Sequence, residues 1–424
     1  YQGRASGSVA FTPARGAGDD PASREQPRIV LFHEYAHHLL LGNFGMAYPA
    51  WFSEGYAEFL STVKFDRDVV WVGTPAQHRA GELIFGSGLS AEKLFAASMH
   101  TIKKDQVGAL YARGWLFTHY FMVGPDGARK AQFARYLDAV NGGKPGAQAA
   151  QEAFGDLKAL DREVDARLRA SKIPAYRFPL DRLPQPVVAV RPLRPGERAM
   201  IELRMRSDRG VNNTTAQPIL ASAIPIGERY PDDPVVQGWL AEMALDAGRY
   251  DLAEAAADRA LAADPKSSQA LVYKAQVHMR RAREARVTDP KVWTKARSWL
   301  LKANALDTND AYTLMQYYSS FGMAGAQPTA NAKAALARAH ELVPQDPALR
   351  FAYAHQSLID GKVEEARAAL RPLAYSAHAA PDNPAVRLLA MLDGGSGAKA
   401  VVDALAKSQT GSETGGGDQG PRSP

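Results

Sequence analysis

From Tyr230 onward the chain is rich in alanine and repeats itself in helix-sized pieces. Asp233-Pro234 opens a segment with Gly248-Arg249-Tyr250 near its middle, and Asp264-Pro265, about 31 residues further on, closes it. Comparable units run over about 268–307, 310–345 and 347–383. The last has Asp360-Gly361-Lys362 at its internal turn, followed by Ala366 and Leu370. A small residue between two helical stretches and a proline after the second specify helix–turn–helix units. A helix pair of this kind cannot bury both faces alone, so the units must stack, and the stack leaves a concave groove.

This pattern resembles the tetratricopeptide repeat family over roughly 230–400, best in the first and last units. The resemblance implies an α-solenoid with a surface for a protein partner. The whole chain has 424 residues, 46% hydrophobic and 23% charged, which fits two or three globular domains and excludes a disordered chain. The net charge of +6 is spread along the sequence, so no nucleic-acid partner is expected. There is no cysteine, which removes disulfides, thiolate ligands and cysteine nucleophiles together. No apolar run approaches the ~18 residues of a membrane span. The chain opens on Tyr1 and not on Met, so an upstream segment is expected, with room for a signal peptide.

Ahead of the repeats, residues 1–27 read as loop with weak strand character from Ser8 to Thr12. Apolar periodicity then predicts helices over about 28–41, 52–64, 76–86, 90–97, 105–123, 128–140, 146–153 and 156–170. Between 171 and 227 prolines crowd in. Val187 to Val190 and Met200 to Met205 read as short strands, with Ile201, Leu203 and Met205 alternating against Glu202 and Arg204 around an Arg194-Pro195-Gly196-Glu197 turn. The expected architecture is therefore mainly α. A catalytic domain covers 1–170, its N-terminal part truncated, a β-rich connector 171–227, helical repeats 228–400 and a disordered tail 401–424.

The chemistry is concentrated in His33-Glu34-Tyr35-Ala36-His37, an H-E-x-x-H motif inside an apolar stretch. On a helix, positions four apart lie one above the other, so His33 and His37 can address one ion. Glu34 is turned about 100° away, which sets it beside the ion as a general base. A catalytic zinc takes three protein ligands and keeps one position open. Gly42-Asn43 stops the first helix. A second helix beginning near Trp51 can return along the first and bring Glu54 to the ion as third ligand. Glu58, one turn further, then stands ready to accept a hydrogen bond from a zinc histidine.

The combination H-E-x-x-H with Pro49, Trp51-Phe52-Ser53-Glu54-Gly55-Tyr56-Ala57-Glu58 resembles the gluzincin superfamily of metallopeptidases, closest to bacterial peptidase-like domains. The resemblance covers about 28–170 and is specific within 33–58. It implies a zincin-like fold, zinc as cofactor, Glu54 as third ligand and Glu58 behind a histidine. The interval from His37 to Glu54 is shorter than in the best-known branches, which leaves the roles of the two carboxylates open. Gluzincins often supply an oxyanion donor from a later helix. Tyr111 is the first choice and His119 the second, while packing is the alternative for Tyr111, Trp115 and Tyr120.

His38 points away from the pair, and His78, His100, His278, His340, His355 and His378 are isolated in sequence, so none is assigned to metal. Val9-Ala10-Phe11 is the candidate edge strand for a bound peptide. The expected function is zinc-dependent peptide-bond hydrolysis of a peptide or protein substrate, with the repeats recruiting substrate or partner. The alternatives are an inactive zinc-binding scaffold and a zinc amidase acting on cell-wall peptides. The resemblance implies a periplasmic or secreted protein, with the cytoplasm as alternative.

Overall fold

A computed structural model describes residues 3–12, 21–43, 45–86, 88–123, 127–170, 172–377, 379 and 382–412. Two compact units emerge. Of the described residues, the first comprises those within 8–187 and 350–405, the second those within 3–7, 188–349 and 406–412.

In the first unit, α1 (Pro21–Asn43) and α2 (Ala50–Ser61) are followed by a hairpin of β1 (Lys64–Asp66) and β2 (Val69–Val72). Helices α3 (Ala80–Ile84), α4 (Ala91–Ala96), α5 (Val107–Met122), α6 (Gly127–Asn141), α7 (Gly146–Phe154) and α8 (Leu157–Arg169) come next, then β3 (Tyr176–Pro179). The strands form one antiparallel sheet in the order β1-β2-β3, with Phe65 opposite Val70 and Val70 opposite Phe178. Periodicity located all eight expected helices. It missed the hairpin, whose signal was the β-branched and aromatic run Val69-Val70-Trp71-Val72 after a two-residue Arg67-Asp68 turn, with Arg67 at a φ of 46°.

The core of this unit is aromatic. Trp51, Phe95, Phe117, Phe121 and Tyr136 are all nearly or fully buried within one cluster, and the Trp51 indole N–H donates to the Tyr136 hydroxyl at 2.9 Å. Helix α2 packs against both α1 and α5. Its contact with α5 is made by glycines. A Cβ on Gly55 would land on the Gly114 carbonyl and 2.6 Å from Thr118 Oγ1, and a Cβ on Gly114 would stand 2.6 Å from the Trp51 carbonyl oxygen. Only hydrogen on both Cα atoms lets these helices approach this closely.

The second unit is helical throughout its regular structure: α9 (Pro195–Asp208), α10 (Asn213–Arg229), α11 (Pro234–Asp246), α12 (Tyr250–Ala263), α13 (Ser268–Glu284), α14 (Pro290–Leu306), α15 (Ala311–Met323) and α16 (Ala330–Leu342). Asp233 and Asp289 cap α11 and α14 by accepting backbone N–H groups, and the prolines after them occupy the first turn. Asp233-Pro234, which opens the first repeat in sequence, is thus a helix start in space.

The β-rich connector expected over 171–227 is corrected. Val187, Val188 and Val190 are exposed and form no strand, while Met200 to Met205 lies inside α9. Pro195 is in the first helical turn, and the Glu197 carboxylate accepts the Arg194 N–H at 2.8 Å, so the supposed turn is a helix N-terminus. Alternation would bury Ile201, Leu203 and Met205, yet of these only Leu203 is buried and Met205 is exposed. The buried set Met200, Leu203 and Ser207 has the helical spacing.

The chain then forms α17 (Pro347–Ile359), α18 (Val363–Ala374), α19 (Pro384–Asp393) and α20 (Ala398–Ser412). The repeat pattern groups 347–383 with the preceding units. By packing, residues 350–405 belong with the first unit, where Ala377 joins the aromatic core and its carbonyl accepts the Met99 N–H at 3.2 Å. The tail expected from 401 is helical as far as Ser412, and residues 413–424 lie outside the described residues. No helix among the described residues is long and apolar enough to cross a membrane.

Candidate metal centre

His33 and His37 sit on α1, and α2 brings Glu54 to them. The turn between the helices is fixed from outside: Asn141 accepts the Ala47 N–H at 2.7 Å and donates to the Ala47 carbonyl at 2.9 Å. Pro49 then opens α2 in an extended conformation, and its carbonyl accepts the N–H groups of Phe52 and Ser53, each at 3.0 Å. The Gly55–Gly114 contact seats α2 against α5. Glu54 and Tyr111 are therefore set by the same helix contact.

The donor atoms converge. His33 Nε2 and His37 Nε2 are 3.1 Å apart, and Glu54 Oε2 lies 3.4 Å from each. In a tetrahedral centre with bonds of about 2.0–2.1 Å, ligand atoms stand about 3.3–3.4 Å from one another. The three atoms thus outline one face of such a tetrahedron. Among the described residues, no other group of histidine and acidic side chains converges in this way. The remaining ring nitrogens are occupied as a metal site requires: His33 Nδ1 faces Glu58 Oε1 at 3.3 Å, and His37 Nδ1 faces Ser53 Oγ at 3.5 Å. With an ion in place, donation through Nδ1 would leave each Nε2 its lone pair for that ion. By donor type, spacing and burial, these residues fit zinc.

The electrostatics favour a cation. Burial alone would raise the Glu54 pKa, but hydrogen bonds from His33 and His37 bring it down to about 2. Burial would lower that of His33, and the hydrogen bonds and charges of Glu54 and Glu58 outweigh it, raising it to about 9. Burial likewise opposes the ionised form of Glu58, yet hydrogen bonds from His33, His78 and Arg79 hold it far below the usual carboxylate range. Two buried carboxylates thus stay ionised around His33, and a positive charge at the centre of the cluster satisfies them.

Distance separates the two carboxylates. Glu54 addresses both Nε2 atoms, and Glu58 stands behind His33. Tyr111 lies beside the cluster, its ring centroid 5.9 Å from that of His33. Burial, and then the negative charge of Glu54, with which its hydroxyl hydrogen-bonds, push its pKa well up, so it is a neutral donor. Glu34 is half-buried on α1, next to His33.

The other candidates lie elsewhere. His119 is fully buried but remote in function: its Nε2–H donates to the Pro174 carbonyl at 2.9 Å, and its ring packs against Trp115 and Phe59. Burial lowers its pKa. Trp115 is core, and the Tyr120 hydroxyl donates to Glu163 at 2.7 Å. At Val9-Ala10-Phe11 only Val9 makes a bridge, so no edge strand forms there. His38 packs near Tyr35, His278 pairs with Glu254, and His378 lies outside the described residues.

Two neighbours escaped the sequence. His78 Nε2 is 2.7 Å from Glu58 Oε2, and Arg79 Nη2 and Nε reach the same carboxylate at 2.7 and 3.1 Å. Both lie on a 3₁₀ turn, Gln77–Arg79, far from the motif in sequence. Nothing local marks them except a basic pair at a helix start.

No protein-family model matches the chain, and no curated protein does. Among solved structures, a thermophilic TPR protein of Thermus thermophilus is similar over 46% of this chain and 94% of its own, at 21% identity and a TM-score of 0.36. A MamA RS-1 double mutant is similar over 43% of this chain and 94% of its own, at 13% identity and a TM-score of 0.32.

Proposed function

We propose that the first unit is a zinc-dependent peptidase and that the helical pairs recruit its substrate or a protein partner. His33, His37 and Glu54 would hold the ion. The single observation that carries this reading is the tetrahedral spacing of their three donor atoms, 3.1, 3.4 and 3.4 Å. A glutamate directly after the first histidine supports hydrolysis over mere binding, because a storage or structural site has no use for a base there.

Zinc, when bound, supplies the Lewis acid that polarises the substrate carbonyl. The protein's own groups do the rest. Glu34 takes a proton from the attacking water and passes it to the leaving amine nitrogen. The Tyr111 hydroxyl donates to the oxygen that becomes negative in the tetrahedral transition state. Glu58 accepts the His33 Nδ1–H and keeps that ring in one tautomer. A periplasmic or secreted location is part of the same proposal, with the cytoplasm as the alternative.

The test is metal analysis followed by hydrolysis of a broad peptide mixture. Wild type should carry one zinc per chain and cleave. Glu34→Gln should keep the zinc and lose about 10²–10⁴-fold in rate. A wild type that holds zinc but cleaves nothing would make the unit a zinc-binding scaffold, and cleavage confined to cell-wall peptides would make it an amidase.

A further inference from the structure

Glu58 is 1% exposed and surrounded by donors. Oε1 faces His33 Nδ1 at 3.3 Å and accepts from Arg79 Nη2 at 2.7 Å, and Oε2 accepts from His78 Nε2 at 2.7 Å and from Arg79 Nε at 3.1 Å. The guanidinium therefore grips both carboxylate oxygens and fixes the plane of the group. The same guanidinium lies over the Tyr111 ring, 5.1 Å from its centroid. One side chain thus touches the carboxylate behind a ligand and the ring of the hydroxyl donor.

We infer that Arg79, assisted by His78, is a positioning residue that locks His33 and Tyr111 into a common geometry. This rests on the reading of His33, His37 and Glu54 as a zinc site. Without the fork, Glu58 is free to rotate, the His33 ring loses its fixed acceptor, and Tyr111 loses the plane it packs against. The 3₁₀ turn that carries the pair leads straight into α3, which packs on α5, the helix of Tyr111. The brace is therefore anchored apart from both ligand helices. Lysine is no substitute, since an ammonium can neither bridge two oxygens in one plane nor stack on the ring in the same way.

The experiment uses the full chain, zinc as probe, competition against a chromophoric chelator, and the visible spectrum of the cobalt-substituted protein. Arg79→Gln should weaken zinc binding about 10–100-fold and shift the cobalt bands. Arg79→Lys should restore affinity in part while leaving the bands shifted. His78→Gln, which leaves the Arg79 fork in place, should show a smaller loss of the same kind. Circular dichroism establishes that each variant is folded, and if Arg79→Gln is not, His78→Gln and Arg79→Lys decide. Wild-type affinity and an unshifted spectrum in the folded variants would overturn the role of Arg79. His33→Ala run in parallel separates the two readings: zinc binding that survives it overturns the centre itself.

Discussion

Helices α2 and α5 in the first unit and helices α11 and α12 in the second are both close pairs, and they achieve closeness differently. In the first, backbone meets backbone at Gly55 and Gly114, inside a shell of Trp51, Phe117, Phe121 and Phe133. In the second, Ala241, Ala244, Ala253, Ala256 and Ala257 share one core, so the spacing is spread over many small side chains. The glycine contact is a single fulcrum beside chemistry, since Glu54 adjoins Gly55 and Tyr111 lies one turn before Gly114. The alanine contact has no comparable histidine and carboxylate cluster beside it among the described residues, and it distributes its tolerance. One arrangement sets a position, and the other makes a repeatable spacer.

The largest effect should come from removing the ring that holds the fulcrum in place. Trp51 is fully buried, its ring is 5.2 Å from Phe95, and its N–H is bound by Tyr136. Trp51→Ala should cost about 3–5 kcal/mol and leave a cavity directly before Glu54. Denaturant unfolding measures the first consequence and zinc content the second. Trp293→Ala in the second unit, where the indole donates to the Val287 carbonyl at 2.8 Å, should cost a similar amount. It should leave the zinc in place. Equal zinc loss in both variants would break the comparison.

Gly55→Ala comes next. Its methyl would meet the Gly114 backbone, which has no side-chain rotamer to yield, so α2 must move. Overpacking of this kind costs about 1–3 kcal/mol. The more telling readout is metal affinity, because the displacement acts one residue from Glu54. A variant that loses stability and keeps wild-type zinc binding would show that the centre tolerates sliding of α2.

The two regions also differ in how much their sequence discloses. His33, His37 and Glu54 were legible because a helix period and one intervening loop relate them. The repeat helices were legible because apolar periodicity recurs in units of similar length, and because some starts, such as Asp233-Pro234, carry their own cap and proline. His78 and Arg79 were not, since they reach Glu58 through a tertiary contact that no local pattern encodes. Met200 to Met205 was misread because a short apolar run satisfies two periods at once, and the deciding residues, Pro195 and Glu197, read equally well as a turn. The assignment of 350–405 to the first unit was hidden for a related reason: a repeat pattern says that a face must be covered, not by what.

The smallest effect is also the sharpest contrast. Gly322 lies near the end of α15, exposed, and a Cβ there would meet nothing within 4 Å. Its φ is outside the left-handed region, so alanine can take the same backbone conformation. Gly322→Ala should therefore stabilise the second unit by about 0.4–1 kcal/mol, chiefly by narrowing the unfolded ensemble, and raise the urea midpoint without changing the slope. The chemical change matches that of Gly55→Ala, and the sign is opposite. If Gly322→Ala destabilises instead, the cost of a methyl at Gly55 can no longer be assigned to the Gly114 backbone that stands in its way, because open space would then carry a penalty of its own.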